Sequence, residues 1–282
     1  RPVAMLPAPS RRPAAVALAL LLLGPVLACG SEDRGKVEVA PPQVTRLFSV
    51  DSLRGPESVS WDSARSRYLI TNVAGDPSAE DGNGFVSVVS PSGDSVVRRA
   101  MTGASLGVTL DAPKGIAVRG DRAWIADLHR VVAIDLRTDT ALFELRIPES
   151  RFLNDVAVGH DGSLYVSDMQ RDAVYRVSPD GEGWSRHGAA GSLRGVNGIH
   201  ADPGGPGLLL AGREGAVLRL NPDSSVTLLA DPLDAENLDG IQPVGADRIL
   251  YTDFSRGTLH ALHRRRPGHW APSPPWLEGL TT

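Results

Sequence analysis

The sequence predicts an all-β protein, a six-bladed β-propeller with five blades represented and the sixth truncated. Three observations carry that expectation. The first is a hairpin within residues 151–168: an alternating run from Val156 to Val158 meets the turn His160-Asp161-Gly162-Ser163. A second run, Leu164 to Ser167, then ends on Asp168. Asp-Gly between alternating apolar runs marks a tight hairpin, because both central turn positions favour φ > 0. The second observation is recurrence. Lys114-Gly115-Ile116 to Asp127, Asn197-Gly198-Ile199 to Gly212 and Asp239-Gly240-Ile241 to Asp253 repeat the pattern, with a looser copy from Glu57 to Asn72. The openings at 114, 154, 197 and 239 are 40, 43 and 42 residues apart, and a strand-rich period of roughly 40–50 residues is that of propeller blades. The third is composition: 30 glycines and 22 prolines suit many short strands and turns, while 41% hydrophobic and 22% charged residues are globular values.

The chain begins with Arg1, so Met5 is the candidate start unless the sequence is a fragment. Arg11-Arg12 precede an apolar run from Ala14 to Val26. That run is shorter than the roughly 20 residues a bilayer span needs. A basic start followed by a short apolar core reads as an export signal. Val26-Leu27-Ala28-Cys29 resembles the lipobox of bacterial lipoproteins, and Cys29 is the only cysteine. The expected organisation is therefore a lipoprotein-type signal over residues 1–29, a polar tether over 30–43 and the propeller over 44–282. The expected location is the bacterial cell envelope, on the periplasmic or extracytoplasmic side. The lipid on Cys29 would be its only membrane attachment.

From Val44 onward the pattern is β. Thr45 to Val50 reads as a lone strand, the outer strand of the absent blade. Five blades of about four strands follow, the clearest over 115–147. Gly75 to Gly84 is a polar insertion without calcium-loop spacing or a closing Glu, so a mobile surface loop is expected. One period beyond Asp239 falls near Thr281, and Pro267, Pro272, Pro274 and Pro275 suit no central strand. An open gap with two bare blade faces, prone to aggregation, is the consequence.

In a propeller the first strand of each blade lines the channel, so Glu57, Lys114, Asn154, Asn197 and Asp239 converge. Taken singly, the Asn-Asp, Asn-Gly and Asp-Gly pairs read as local caps of strand openings. Recurring at one repeat position, they read as a set. Two carboxylates and two amides form an oxygen-rich site that suits a hard divalent cation such as Ca²⁺, and no histidine or cysteine stands at these openings. The formal charge of −4 and the absence of a basic patch in the repeats exclude nucleic acid as a partner. Arg264-Arg265-Arg266 is expected as a solvated loop, and His200 as a packed strand histidine.

The motifs are similar to those of the regucalcin/gluconolactonase family of six-bladed propellers over about residues 45–262. Glu57 with Trp61 looks like its Glu-x-x-x-Trp metal motif. Asn197-Gly198-Ile199 and Asp239-Gly240 look like two further ligand segments, and Asn154-Asp155 after Arg151-Phe152 looks like its substrate-facing segment. Leu153 is an extra residue there, which displaces Arg151. The resemblance implies a metal-dependent, Ca-type hydrolase of lactones or related esters, acting as a monomer on a small molecule. Glu57, Asn197 and Asp239 are its expected metal ligands, and Asp239 and Asn154 its expected catalytic residues. Asn154, Arg151 and Lys114 are its expected substrate contacts. The alternative is a propeller that binds or scaffolds without turnover.

If Cys29 becomes the lipidated N-terminus, Cys29→Ser leaves the leader uncleaved and moves the protein from the detergent phase to the aqueous phase on phase partitioning. Unchanged partitioning rejects the anchor.

Overall fold

The computed structural model describes residues 42–51, 53–188, 191–230, 233 and 235–280. The leader, Cys29 and most of the tether lie outside the described residues.

Among the described residues, twenty strands form five four-stranded antiparallel sheets, each in simple up-and-down order. Blade 1 holds β1 (Pro56–Asp62), β2 (Arg67–Asn72), β3 (Phe85–Val89) and β4 (Val96–Thr102). Blade 2 holds β5 (Pro113–Arg119), β6 (Arg122–Asp127), β7 (Arg130–Asp135) and β8 (Thr140–Arg146). Blade 3 holds β9 (Leu153–Val158), β10 (Leu164–Asp168), β11 (Ala173–Val177) and β12 (Trp184–His187). Blade 4 holds β13 (Val196–Ala201), β14 (Leu208–Gly212), β15 (Ala216–Leu220) and β16 (Val226–Ala230). Blade 5 holds β17 (Leu238–Pro243), β18 (Arg248–Asp253), β19 (Thr258–Arg266) and β20 (His269–Pro272).

Apolar clusters fuse successive blades face to face. Leu69 and Val86 meet Ile116 and Ile125, Trp124 meets Leu164 and Tyr175, and Tyr165 meets Ile199 and Leu210. Leu209 and Val217 meet Ile241 and Tyr251. Each fully buried large apolar side chain contributes about 1.5–3 kcal/mol. The inner strands abut in series, β1 on β5, β5 on β9, β9 on β13 and β13 on β17, but β17 and β1 do not pack together in this way. The ring is open between blades 5 and 1. Val59 and Trp61 on one wall and Phe254 on the other remain 46%, 41% and 51% exposed, as expected where no blade covers them.

Two irregular segments line that gap. Residues 42–50 form no strand, which corrects the expectation for Thr45–Val50. Their side chains serve as packing instead. Val44 joins Leu250, Leu259 and Trp276 of blade 5, while Phe48 and Val50 join Ile70 and Val89 of blade 1. The proline-rich end supplies the edge strand β20, where a missing N–H costs nothing. It then folds back, with Trp276 N donating to Leu259 O at 2.7 Å and Leu280 N to Gly257 O at 2.9 Å. The insertion at 75–84 is also pinned, through Gly82 N to Asp111 Oδ1, Gly84 N to Leu110 O and Lys114 Nζ to Pro77 O, each at 3.0 Å.

A carboxylate or amide oxygen closes four of the blades. Asp127 accepts Asp111 N and Ala112 N, Asp253 accepts Glu236 N and Arg256 N, and Asn72 accepts Arg54 N. Asp168 accepts four backbone donors, Arg151, Phe152, Gln170 and Arg171, at 2.7, 3.1, 3.2 and 3.1 Å, and is 0% exposed. Each side chain ties the segment entering its blade to the end of the second strand. Orphaning a buried donor costs about 1–3 kcal/mol. Asp168→Ala should therefore lose about 3 kcal/mol in urea unfolding; a loss below about 1 kcal/mol would show that water replaces the carboxylate without penalty.

Candidate functional site

The register of every inner strand slips at its opening. Between Pro56↔Asn72 and Val59↔Ile70, two residues, Glu57 and Ser58, oppose one, Thr71. The same two-against-one bulge puts Lys114-Gly115 opposite Ala126 and Asn154-Asp155 opposite Ser167. It also puts Asn197-Gly198 opposite Ala211 and Asp239-Gly240 opposite Thr252. A bulge bends its strand and re-aims a side chain. Five of them bring the five predicted residues towards the channel axis.

Hydroxyls opposite the bulges complete the local chemistry. Thr71, Ser167 and Thr252 accept Ser58 N, Asp155 N and Gly240 N at 3.1, 3.0 and 2.8 Å. Thr71 also donates to Lys114 O and Ser167 to Asn197 O, each at 2.5 Å, so each hydroxyl stitches its blade to the next. The approach is close enough to require glycine. A Cβ on Gly115 would lie 2.3 Å from Asp155 Oδ1, and one on Gly198 would lie 2.2 Å from Asp239 O. On Gly240 it would meet only Thr252 of its own blade, at 3.3 Å, because no inner strand lies beyond it.

A cleft of about 930 Å³ runs from these openings along the gap, with Glu57, Asn154, Asp155 and Asp239 in its wall. Asn197 stands just behind. Its Nδ2 donates to Asp239 Oδ1 at 2.7 Å, and its Oδ1 accepts Asn154 Nδ2. Asn154, Asn197 and Asp239 thus form one relay across blades 3, 4 and 5. Lys114 is 2% exposed, its Nζ donating to Pro77 O and Ala112 O at 3.0 and 2.9 Å and lying 4.2 Å over the Phe152 ring. The expected substrate contact is instead a latch between the 75–84 insertion and the channel. Arg151 is exposed and outside the cleft wall; the extra Leu153 bridges to Leu128 and leaves Arg151 in the loop before β9. His200 lines the cleft with Nδ1 at 2.8 Å from Ala201 O, so it is not packed within a blade.

Sequence reasoning missed Asp155 as a member of the site. Burial raises its pKa to about 7, against the pull of its hydrogen bonds from Ile199 N and Val156 N, and Asp239 adds to the rise. Burial also raises Glu57 well above its ordinary value, with further push from Asp239 and Asp155 and an opposing pull from Lys114. Glu57 keeps exposed surface on the gap side, so water moderates that rise without reversing it. Asp239 is raised by burial and eased by Asn197. Burial lowers Lys114, which Glu57 and Asp127 oppose. Three carboxyls, each raised by burial, therefore share the wall of one cleft. The signal for Asp155 was present in the Asn154-Asp155 pair, since it fills the place that Gly115 and Gly198 hold in blades 2 and 4.

The donor set suits a hard cation in its chemistry, being all oxygen and carrying carboxylates that a positive charge would relieve. Among the described residues, no three acidic, histidine or cysteine side chains are close enough to chelate an ion by themselves. The amide oxygen of Asn197 would have to complete the set, exchanging its bond from Asn154 for the ion.

No protein-family model matches the chain, and no curated protein does. Solved structures do. A chain of a nidogen/laminin complex is similar with a TM-score of 0.61 and 16% identity, covering 82% of this chain and 84% of that one. The likeness is one of fold. Streptogramin B lyase matches at 0.57 and 13%, covering 80% and 84% of the two chains, and virginiamycin B lyase from Staphylococcus aureus at 0.55 and 13%, covering 78% and 84%. These neighbours are β-propellers, as is this chain. The regucalcin/gluconolactonase resemblance rests on the motifs alone.

The raised Asp155 has a pH signature. Unfolded, such a carboxyl loses its proton near pH 3.9, whereas the folded protein holds it to about 7. The native state binds the extra proton between those values, so this group's stabilisation is fully present below about pH 4 and lost as pH rises through about 7. Asp155→Asn should lower the thermal midpoint by removing one acceptor oxygen, and should flatten its decline between pH 4 and 7. An unchanged slope would assign the pH dependence to other groups.

Proposed function

We propose that the cleft is a cation-assisted hydrolytic site for lactones or related small esters, of the regucalcin/gluconolactonase kind. The protein carrying it is exported to the bacterial cell envelope, held there by lipid on Cys29, and works as a monomer. The observation that carries this reading is the convergence of Glu57, Asp155 and Asp239 with Asn154 at the cleft wall, set there by three separate bulges. A divalent cation of the calcium type, held by Glu57 and Asp239 with the amide oxygen of Asn197, would polarise the ester carbonyl.

The chain's own residues do the rest. Asp239 is the candidate base that takes a proton from the attacking water as its oxygen bonds to the carbonyl carbon. The ring C–O bond then breaks, and the leaving alkoxide takes that proton back, giving a hydroxy acid. Asn154 faces the cleft and orients the ester. Asn197 holds Asp239 in place through its Nδ2. Asp155, keeping its proton to about pH 7, limits the negative charge near the reacting carbonyl.

A second reading, a propeller that binds without turnover, is favoured by one observation: both ends of the Asn197 amide are committed to neighbours. Catalysis separates the two. With a panel of lactones and aryl esters, wild-type protein should show calcium-dependent hydrolysis, and calcium should raise its thermal midpoint, because an ion bound only by the folded state stabilises it. Asp239→Ala should lose both. Asn154→Ala should keep the calcium-dependent rise in midpoint and lose about 100-fold in turnover, the usual order for one positioned polar group. Calcium-dependent stability without hydrolysis supports the second reading, and equal calcium affinity in Asp239→Ala removes the site from the cleft.

A further inference from the structure

The turn joining the third and fourth strands carries an acid in each of the first four blades: Asp94, Asp139, Asp180 with Glu182, and Asp223. Most of these acids shape their turns. Ser90 Oγ donates to Asp94 at 2.6 Å, Glu182 N to Asp180 at 3.1 Å and Ser225 N to Asp223 at 3.0 Å. Blade 5 departs from the rule. There the strand end and turn read Arg264-Arg265-Arg266-Pro267-Gly268-His269, all six residues exposed and none acidic. The expected solvated loop is the tip of a regular ladder, with Arg264 opposite Trp270 and Arg266 opposite His269.

The charge is concentrated. Arg248 stands opposite His263 in the register of β18 and β19 and adds a fourth guanidinium. Asp247, whose carbonyl oxygen accepts Arg264 N–H at 2.9 Å, is the one acid in the two turns that meet here. The described chain also enters on this blade. Val44 packs with Leu250, Leu259 and Trp276, and the Trp276 ring lies 6.0 Å from His263 and 5.3 Å from the Arg248 guanidinium. Fourteen residues separate Cys29 from Val44, a reach of at most about 50 Å.

We propose that this basic edge of blade 5 docks on an anionic bilayer surface. Arginines beside a short tether are held within reach of acidic headgroups, and the acids in the corresponding turns of the other four blades are repelled from them. Only blade 5 then meets the membrane. Strands in a blade alternate in direction, so the third-to-fourth turn lies at the end opposite the inner-strand openings. Docking there leaves the Glu57–Asn154–Asp239 end of the cleft facing away from the lipid. This orientation does not depend on whether the cleft hydrolyses anything.

The test is cosedimentation of the full chain with vesicles of phosphatidylcholine alone or mixed with phosphatidylglycerol, at low and high sodium chloride. Leader and lipid contributions are common to both vesicle types, so the preference for anionic vesicles isolates the charge. A basic residue near an anionic surface contributes about fivefold in affinity, so Arg264→Ser/Arg265→Ser/Arg266→Ser should cut the preference by about a hundredfold at low salt and little at high salt. Arg122→Ser/Arg137→Ser, which removes two exposed arginines from blade 2, should leave it intact. Unchanged urea midpoints show that both variants are folded. The proposal fails if wild type shows no anionic preference or if the triple variant keeps it. It also fails if inorganic phosphate abolishes the preference where chloride of equal ionic strength does not, which would mark a free-anion site.

Discussion

Everything at the centre of this molecule depends on a two-against-one bulge at the opening of each inner strand. An unbulged strand would point alternate side chains into the neighbouring blades and would bring no more than its pleat allows to the axis. The extra residue turns Glu57, Asn154 and Asp239 towards one cleft and buries Lys114 and Asn197 beside it. It also leaves backbone N–H groups without ladder partners. Thr71, Ser167 and Thr252 satisfy three of these, and two of the same hydroxyls reach on to the next blade. Site geometry and blade docking are thus the same set of bonds.

The repeat made the fold readable because a period near 42 residues with Asp-Gly hairpins has few other physical solutions. Blade 2, expected over 115–147, runs from Pro113 to Arg146. The site was half readable. The residues at the openings were visible in the pattern, but a bulge leaves little mark on sequence beyond paired small or polar residues, so Asp155 passed as the neighbour of Asn154. Lys114 was misread for a related reason. A cation at a channel opening looks available until the insertion that covers it is placed, and Pro77 lies 37 positions away. The closing acids Asp127, Asp168 and Asp253 were equally visible as the ends of the repeats. Their role in capping the segment that enters each blade depends on contacts across 15 to 17 residues, which no local rule supplies.

The open side of the ring sets the electrostatics of the centre. Asp239 and Glu57 belong to the two blades that flank the gap, so no inner strand stands between them to separate their charges. The apolar cost of the gap is partly met from within the described chain, by Val44 and Trp276 on one wall and Phe48 and Val50 on the other. Trp61 and Phe254 remain uncovered. Gly240 and Thr252 occupy the stations that meet a following blade elsewhere in the ring, and here they face the cleft. The same opening that leaves apolar surface bare gives the carboxyl cluster its access from solvent.

The central claim is that this carboxyl cluster is a cation site. The most direct measurement is anomalous diffraction from crystals soaked in terbium, which substitutes for calcium and is located without reference to activity. The account predicts one strong peak in the cleft, about 2.3–2.6 Å from carboxylate oxygens of Glu57 and Asp239, with the Asn154 and Asn197 amides moved apart. A cleft with no peak, or a peak confined to the 75–84 insertion, would contradict it.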